Sequence, residues 1–177
     1  DWLDKAAAVD PAAVTPTVNL ISHYLVQKQN QKALDLALQL KVAHPDNPDL
    51  LDLMGKAQLA NNDFDAATDS FRKLTVALPR SAQAQMQLAA ILIITKKDAA
   101  AEEALKAALS MQPDFPAAQV ALVEVYARKG WLDLALQICD KMQRTHPESP
   151  AGFQLAGDIL MMDKKPAQAL VPFEHVF

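Results

Sequence analysis

Proline recurs in this chain at a fixed interval: Pro11, Pro45, Pro79, Pro113 and Pro147, each 34 residues after the one before. Alanine recurs in the same phase at Ala33, Ala67, Ala101, Ala135 and Ala169. Two series sharing one period describe a tandem repeat, whose units bury a core only by stacking on their neighbours. Within a unit, Ala67, Phe71, Leu74 and Leu78 follow the i, i+4, i+7, i+11 spacing of one helical face, and Leu50, Met54 and Ala57 do the same just before them. Polar breaks at Lys28-Gln29, Asn62-Asp63, Lys96-Lys97, Gly130 and Lys164-Lys165 divide each unit into two helices, A and B. The repeating proline cannot continue the backbone ladder, so it ends helix B.

Setting that proline at position 32 gives a register. Position 8 holds Ile21, Gly55, Ala89, Val123 and Gly157, and position 24 holds Ala37, Phe71, Leu105, Cys139 and Phe173. The small residue at position 8 and the alanine at position 20 fall where A and B approach most closely. The register predicts one array over residues 1–177. Residues 1–13 are the second helix of a preceding repeat, followed by repeats 14–47, 48–81, 82–115, 116–149 and a truncated 150–177. The chain reads as a piece of a longer array. Its cut ends, with Trp2, Leu3, Phe173, Val176 and Phe177, are expected to associate end to end. Pro172 falls inside the last helix, where a kink or early end near Leu170 to Pro172 is predicted.

Composition narrows the function. The chain is 51% hydrophobic and 21% charged, a balance that folds. Its net charge of −4 leaves no basic stripe for phosphates, so nucleic acid is not an expected partner. No apolar run reaches the roughly 20 residues of a membrane-spanning helix. The one cysteine, Cys139, takes a packing position and reads as buried and inert. His23, His44, His146 and His175 form no cluster with ligand spacing, so no metal or other cofactor is expected. Trp2 and Trp131 read as packing residues on second helices. No acid–base or nucleophile constellation is visible, so no catalytic residue is assigned and the chain is not read as an enzyme.

The helix pairs, the period and the small residues at positions 8 and 20 resemble the tetratricopeptide-repeat family over nearly the whole chain. That resemblance implies an all-α, right-handed superhelical solenoid of antiparallel helix pairs that binds a protein or peptide on its concave, helix-A surface. The residues matching that surface are Asp49, Asp52, Lys56, Gln83, Met86, Glu124, Arg128, Gln154 and Asp158, with Asn19, Ser22, Ile93, Ile94, Met161 and Met162 beside them. Asp52–Lys56 and Glu124–Arg128 are spaced as i, i+4 pairs. The strings His44-Pro45-Asp46-Asn47-Pro48 and His146-Pro147-Glu148-Ser149-Pro150-Ala151-Gly152 resemble the repeat lipoprotein of the bacterial PEP-CTERM/exosortase system. That would imply an exported, lipid-anchored scaffold of the periplasm or outer envelope, tied to exopolysaccharide production and protein sorting. The alternatives are a substrate-selecting region of a larger enzyme, such as a glycosyltransferase, and a cytoplasmic regulatory adaptor.

Overall fold

A computed structural model describes residues 14–174. Among them are ten α-helices and no strand: α1 (Val14–Val26), α2 (Asn30–Ala43), α3 (Pro48–Ala60), α4 (Phe64–Ala77), α5 (Ala82–Ile94), α6 (Asp98–Met111), α7 (Pro116–Arg128), α8 (Leu132–Thr145), α9 (Pro150–Met162) and α10 (Pro166–Glu174). The odd-numbered helices are the A helices of the register and the even-numbered ones the B helices. The fold is all-α, built of antiparallel helix pairs, as the 34-residue period requires.

Helix starts follow local chemistry. Proline opens α3, α7 and α9, where its missing N–H costs no ladder bond. Asn47, Asp63 and Ser81 accept the N–H of Leu50, Ala66 and Ala84, capping α3, α4 and α5.

The A-to-B turns repeat with the sequence. Lys28, Asn62, Lys96, Gly130 and Lys164, spaced by 34, all have positive φ between 56° and 72°. The residue after the turn donates back five positions, Gln29 to Tyr24, Asp63 to Gln58, Trp131 to Tyr126 and Lys165 to Leu160, at 2.8–2.9 Å. The positive-φ residue donates back three positions at about 3.0 Å, as Asn62 does to Leu59 and Gly130 to Ala127. This is the Schellman arrangement, which satisfies the last carbonyls of helix A. Only Gly130 adopts that backbone without steric cost.

The chain forms two compact units, divided between Lys96 and Lys97. In the first, α1 to α5 pack each on the next, and α1 also touches α3. In the second, α6 to α10 do likewise, and α7 also touches α9. The position-20 alanines Ala33, Ala67, Ala101 and Ala135 have no exposed surface and Ala169 has almost none.

Glycine at position 8 has a specific cause. A Cβ on Gly55 would lie 2.6–2.9 Å from the ring of Phe71, and one on Gly157 would lie 2.3–2.7 Å from the ring of Phe173. Each ring fills the room that its glycine leaves. Where position 8 is larger, position 24 is smaller: Ile21 with Ala37, Val123 with Cys139, all four buried. Phe173 therefore has cover inside its own helix pair, contrary to the expectation of an uncovered end. Trp2, Leu3, Val176 and Phe177, the other residues of that expectation, lie outside the described residues.

Of the kink or early end expected near Leu170 to Pro172, the early end does not occur, because α10 runs through Pro172 to Glu174. A proline deletes one ladder bond, while Ala169 and Pro172 are buried and Phe173 is seated on Gly157. Packing holds the helix through that loss.

Candidate functional site

In the first unit, α3 and α5 present Asp49, Lys56 and Gln83 exposed, with Asp52 and Met86 half-buried. Lys56 Nζ donates to Asp52 Oδ2 at 2.6 Å, as its i, i+4 spacing predicts. The other oxygen of Asp52 accepts a bond from the amide of Gln87 on α5. Gln87 was not among the sequence candidates. It lies 35 residues after Asp52, one step beyond the repeat length, and this offset is what joins neighbouring A helices. Behind this face the pair is closed by buried Gln58, which hydrogen-bonds Ser70 Oγ at 2.7 Å.

In the second unit, α7 and α9 present Glu124, Arg128, Gln154 and Asp158, all exposed. Arg128 does not bond Glu124 directly. Its guanidinium donates to Asp98 of α6, with Nη2 to Oδ1 at 2.6 Å. Asp98 opens α6, where the N-terminal end of the helix also favours a carboxylate. The hydrogen bond and charge of Arg128 hold the Asp98 carboxyl below its ordinary value. Glu124 and Asp158, one repeat apart at position 9, are left without an ion-pair partner among the described residues.

A second link runs beside the first. Glu102 accepts from Lys106 and from Lys129, both at 2.6 Å, and these bonds lower its pKa. Lys129 Nζ also sits 3.5 Å from the ring centroid of Trp131, a cation–π contact. Trp131 precedes α8 rather than lying in it, and is 43% exposed, so it is not the helix packing residue expected from sequence. Its ring packs on Tyr126, 5.8 Å between centroids. These residues flank the Schellman turn, where an apolar contact commonly closes the motif.

Two further residues behave as their positions predict. Cys139 is fully buried, and desolvation pushes its thiol up to about 12, so it holds its proton and is a poor nucleophile. His146 lies in a B-to-A turn, with Nε2 2.7 Å from Asp114 Oδ1, one turn earlier in the array, and Nδ1 3.6 Å from Glu148. The bond to Asp114 raises its pKa. Among the described residues no three of His, Cys, Asp and Glu are grouped to hold a metal ion, and no helix is long and apolar enough to cross a membrane.

Human protein O-mannosyl-transferase TMTC3 is 34% identical over 87 residues, which is 49% of this chain and 10% of that protein. The chain thus spans about a tenth of the length of this curated relative. Among solved structures, YrrB, described as a TPR protein with an unusual peptide-binding site, superposes with a TM-score of 0.79 at 17% identity, covering 99% of this chain and 91% of that one. MamA from Desulfovibrio magneticus RS-1 gives 0.82 at 22% identity, with coverage of 94% and 93%. Such identities speak to the fold alone. Two family models, each described as tetratricopeptide repeat, match residues 53–114 and 96–159, together more than half of the sequence. With the 34-residue period, the buried position-20 alanines and the Schellman turns, these matches lead to one assignment: the chain belongs to the tetratricopeptide-repeat family.

Proposed function

We propose that the chain is a non-catalytic scaffold that holds a segment of another protein against its A-helix faces. The reading is carried by side chains exposed on the A helices: Asp49 and Gln83 at position 2, Lys56, Glu124 and Asp158 at position 9, and Gln154 at position 5. The B helices of the same pairs commit their position-20 alanines entirely to packing. Charges of both signs on such a face set orientation and partner choice more than raw affinity. Met86 and the exposed Met161 and Met162 add adaptable apolar contact. Ordering a flexible partner keeps affinity modest. Family membership supports this reading, as does the description of YrrB as a peptide-binding repeat protein.

The finer reading is a scaffold in a bacterial envelope assembly for exopolysaccharide and protein sorting, lipid-anchored in the periplasm or outer envelope. Its support is the pair of strings at 44–48 and 146–152. A second reading, the repeat region of a larger glycosyl-transferring enzyme, is favoured by the match to the human O-mannosyl-transferase. A lipobox signal in the full gene would support the first, a catalytic domain the second.

The experiment is to capture the native partner and measure its binding to Lys56→Glu combined with Glu124→Lys. Arg128 is a poor choice for this test, because its bond to Asp98 ties α7 to α6. Binding should weaken at least tenfold, about 1.4 kcal/mol. A folded double variant that binds as well as the parent would reject the A-helix face.

A further inference from the structure

We propose that the outer surface formed by the C-terminal parts of α2 and α4, and the turns that follow them, docks an acidic peptide segment anchored by an aliphatic side chain. The inference does not rest on the A-helix reading, because none of these residues lies on an A helix. Val42 and Val76 occupy the same register position, 34 residues apart, and are 87% and 80% exposed. Against Val76 lies a cavity of about 400 Å³, lined by Asp46, Arg72, Lys73, Val76 and Ala77. It has room for one leucine- or isoleucine-sized side chain, with the stems of Arg72 and Lys73 as its walls.

Charge selects the partner. The chain as a whole is acidic, with a net charge of −4, yet this surface carries Lys41, Arg72, Lys73 and Arg80. Among the described residues, Lys41, Lys73 and Arg80 have no carboxylate within ion-pair distance, and Arg72 only reaches Asp69 at a loose 3.5 Å. The opposing charges nearby are Asp46 at the cavity rim and Asp69. The A-helix cations are in a different state: Lys56 is held by Asp52 and Arg128 by Asp98, each at 2.6 Å. A carboxylate-bearing partner therefore finds uncommitted cations on the outer surface of the first unit. Glutamates of a bound segment would face Lys41, Lys73 and Arg80, and its aliphatic residue would enter the cavity beside Val76.

The test is fluorescence anisotropy with a labelled synthetic peptide of glutamate and leucine. A peptide of lysine and leucine and phosphatidylserine-containing vesicles serve as comparison probes. The intact chain should bind the glutamate peptide and neither of the others. Arg72→Glu with Lys73→Glu should weaken that binding about tenfold, Val76→Asn should weaken it too, and Lys56→Glu should leave it unchanged. All these positions are exposed, so the helical circular dichroism signal should persist. If the double variant fails to fold, Val76→Asn alone decides. The proposal is overturned if the glutamate peptide does not bind, if the outer-surface variants bind it as well as the parent, if Lys56→Glu lowers binding equally, or if vesicles are the better ligand.

Discussion

The helix pairs α3–α4 and α7–α8 share one template and meet it with different chemistry. In the first, position 8 is Gly55 and the ring of Phe71 fills the space above it. In the second, the same positions are Val123 and Cys139, both buried. The first is linked to its neighbour by an amide on a carboxylate, Gln87 on Asp52, while buried Gln58 on Ser70 closes the pair internally. The second is linked by ion pairs, Arg128 with Asp98, Lys129 with Glu102 and His146 with Asp114. The template fixes the volume at the A–B contact and the need for some link to the neighbouring repeat. It does not fix which side chain supplies either.

The sharpest way to break the comparison is to move one repeat's solution halfway into the other. Phe71→Cys alone should cost about 3–4 kcal/mol, for lost burial and a cavity. Gly55→Val alone should cost about 3 kcal/mol, because the new Cβ meets the Phe71 ring. The double variant, which reproduces the pair at 123 and 139, should cost less than either single change. Urea melts of the three variants measure this, and strictly additive costs would show that the two positions do not share one volume.

A smaller effect is expected at position 20, where the repeats agree. Ala135→Leu should cost roughly 1–3 kcal/mol by overpacking. Because repeats couple mainly to neighbours, faster hydrogen exchange should stay near residues 116–174 and leave the amides around Ala33 unchanged. Equal acceleration in both places would mean longer-range coupling.

The turns differ by a single residue type, and the effect should be about 1 kcal/mol. Gly130→Asn forces a side chain into the left-handed backbone that Asn62 already tolerates, and should destabilise. Lys96→Gly should act in the opposite direction. A chemical melt in which both changes lower stability would remove backbone strain as the cause.

The ion pairs of 116–149 add the smallest effect, in pH dependence. His146 has a raised pKa, so its bond to Asp114 contributes fully below about 6.5 and fades as pH rises through the raised value. Asp98 and Glu102 have lowered values, so their contribution is present above the ordinary carboxylate range and is lost as pH falls through the lowered ones. Thermal midpoints of the parent and of Asp114→Asn should therefore converge as pH rises above neutrality. A constant gap from pH 5.5 to about 8.5 would exclude His146 as the titrating group.

The fold was legible because its signals lie within one repeat length: the proline interval, the alanine series and the polar turn residues. The pairing of large with small residues at positions 8 and 24 was equally present in the sequence. It appears only when the two series are read against each other. The links between repeats were harder to see. Arg128 has an acid four residues before it on its own helix, yet bonds one 30 residues away. Helix spacing ranks the near partner first, and only the stacking of α7 on α6 brings Asp98 within reach. The repeat register assigns Trp131 to a second helix, whereas it caps that helix and packs on Tyr126 beside the turn. Lysine by itself does not mark a left-handed turn, so at Lys28, Lys96 and Lys164 the cue is their 34-residue phase with Asn62 and Gly130.

The buried Cys139 has a practical consequence for locating any partner. It is the chain's one cysteine, has no exposed surface, and keeps its proton to about pH 12. Thiol labelling needs the thiolate as the attacking nucleophile, so near neutral pH such reagents should leave the folded chain unmodified. A cysteine introduced at Val76 or Glu124 would then be the sole point of labelling or cross-linking, without any native residue having to be removed. The chain comes ready for site-directed attachment of probes, and contact maps of its two faces can be collected on an otherwise unaltered sequence.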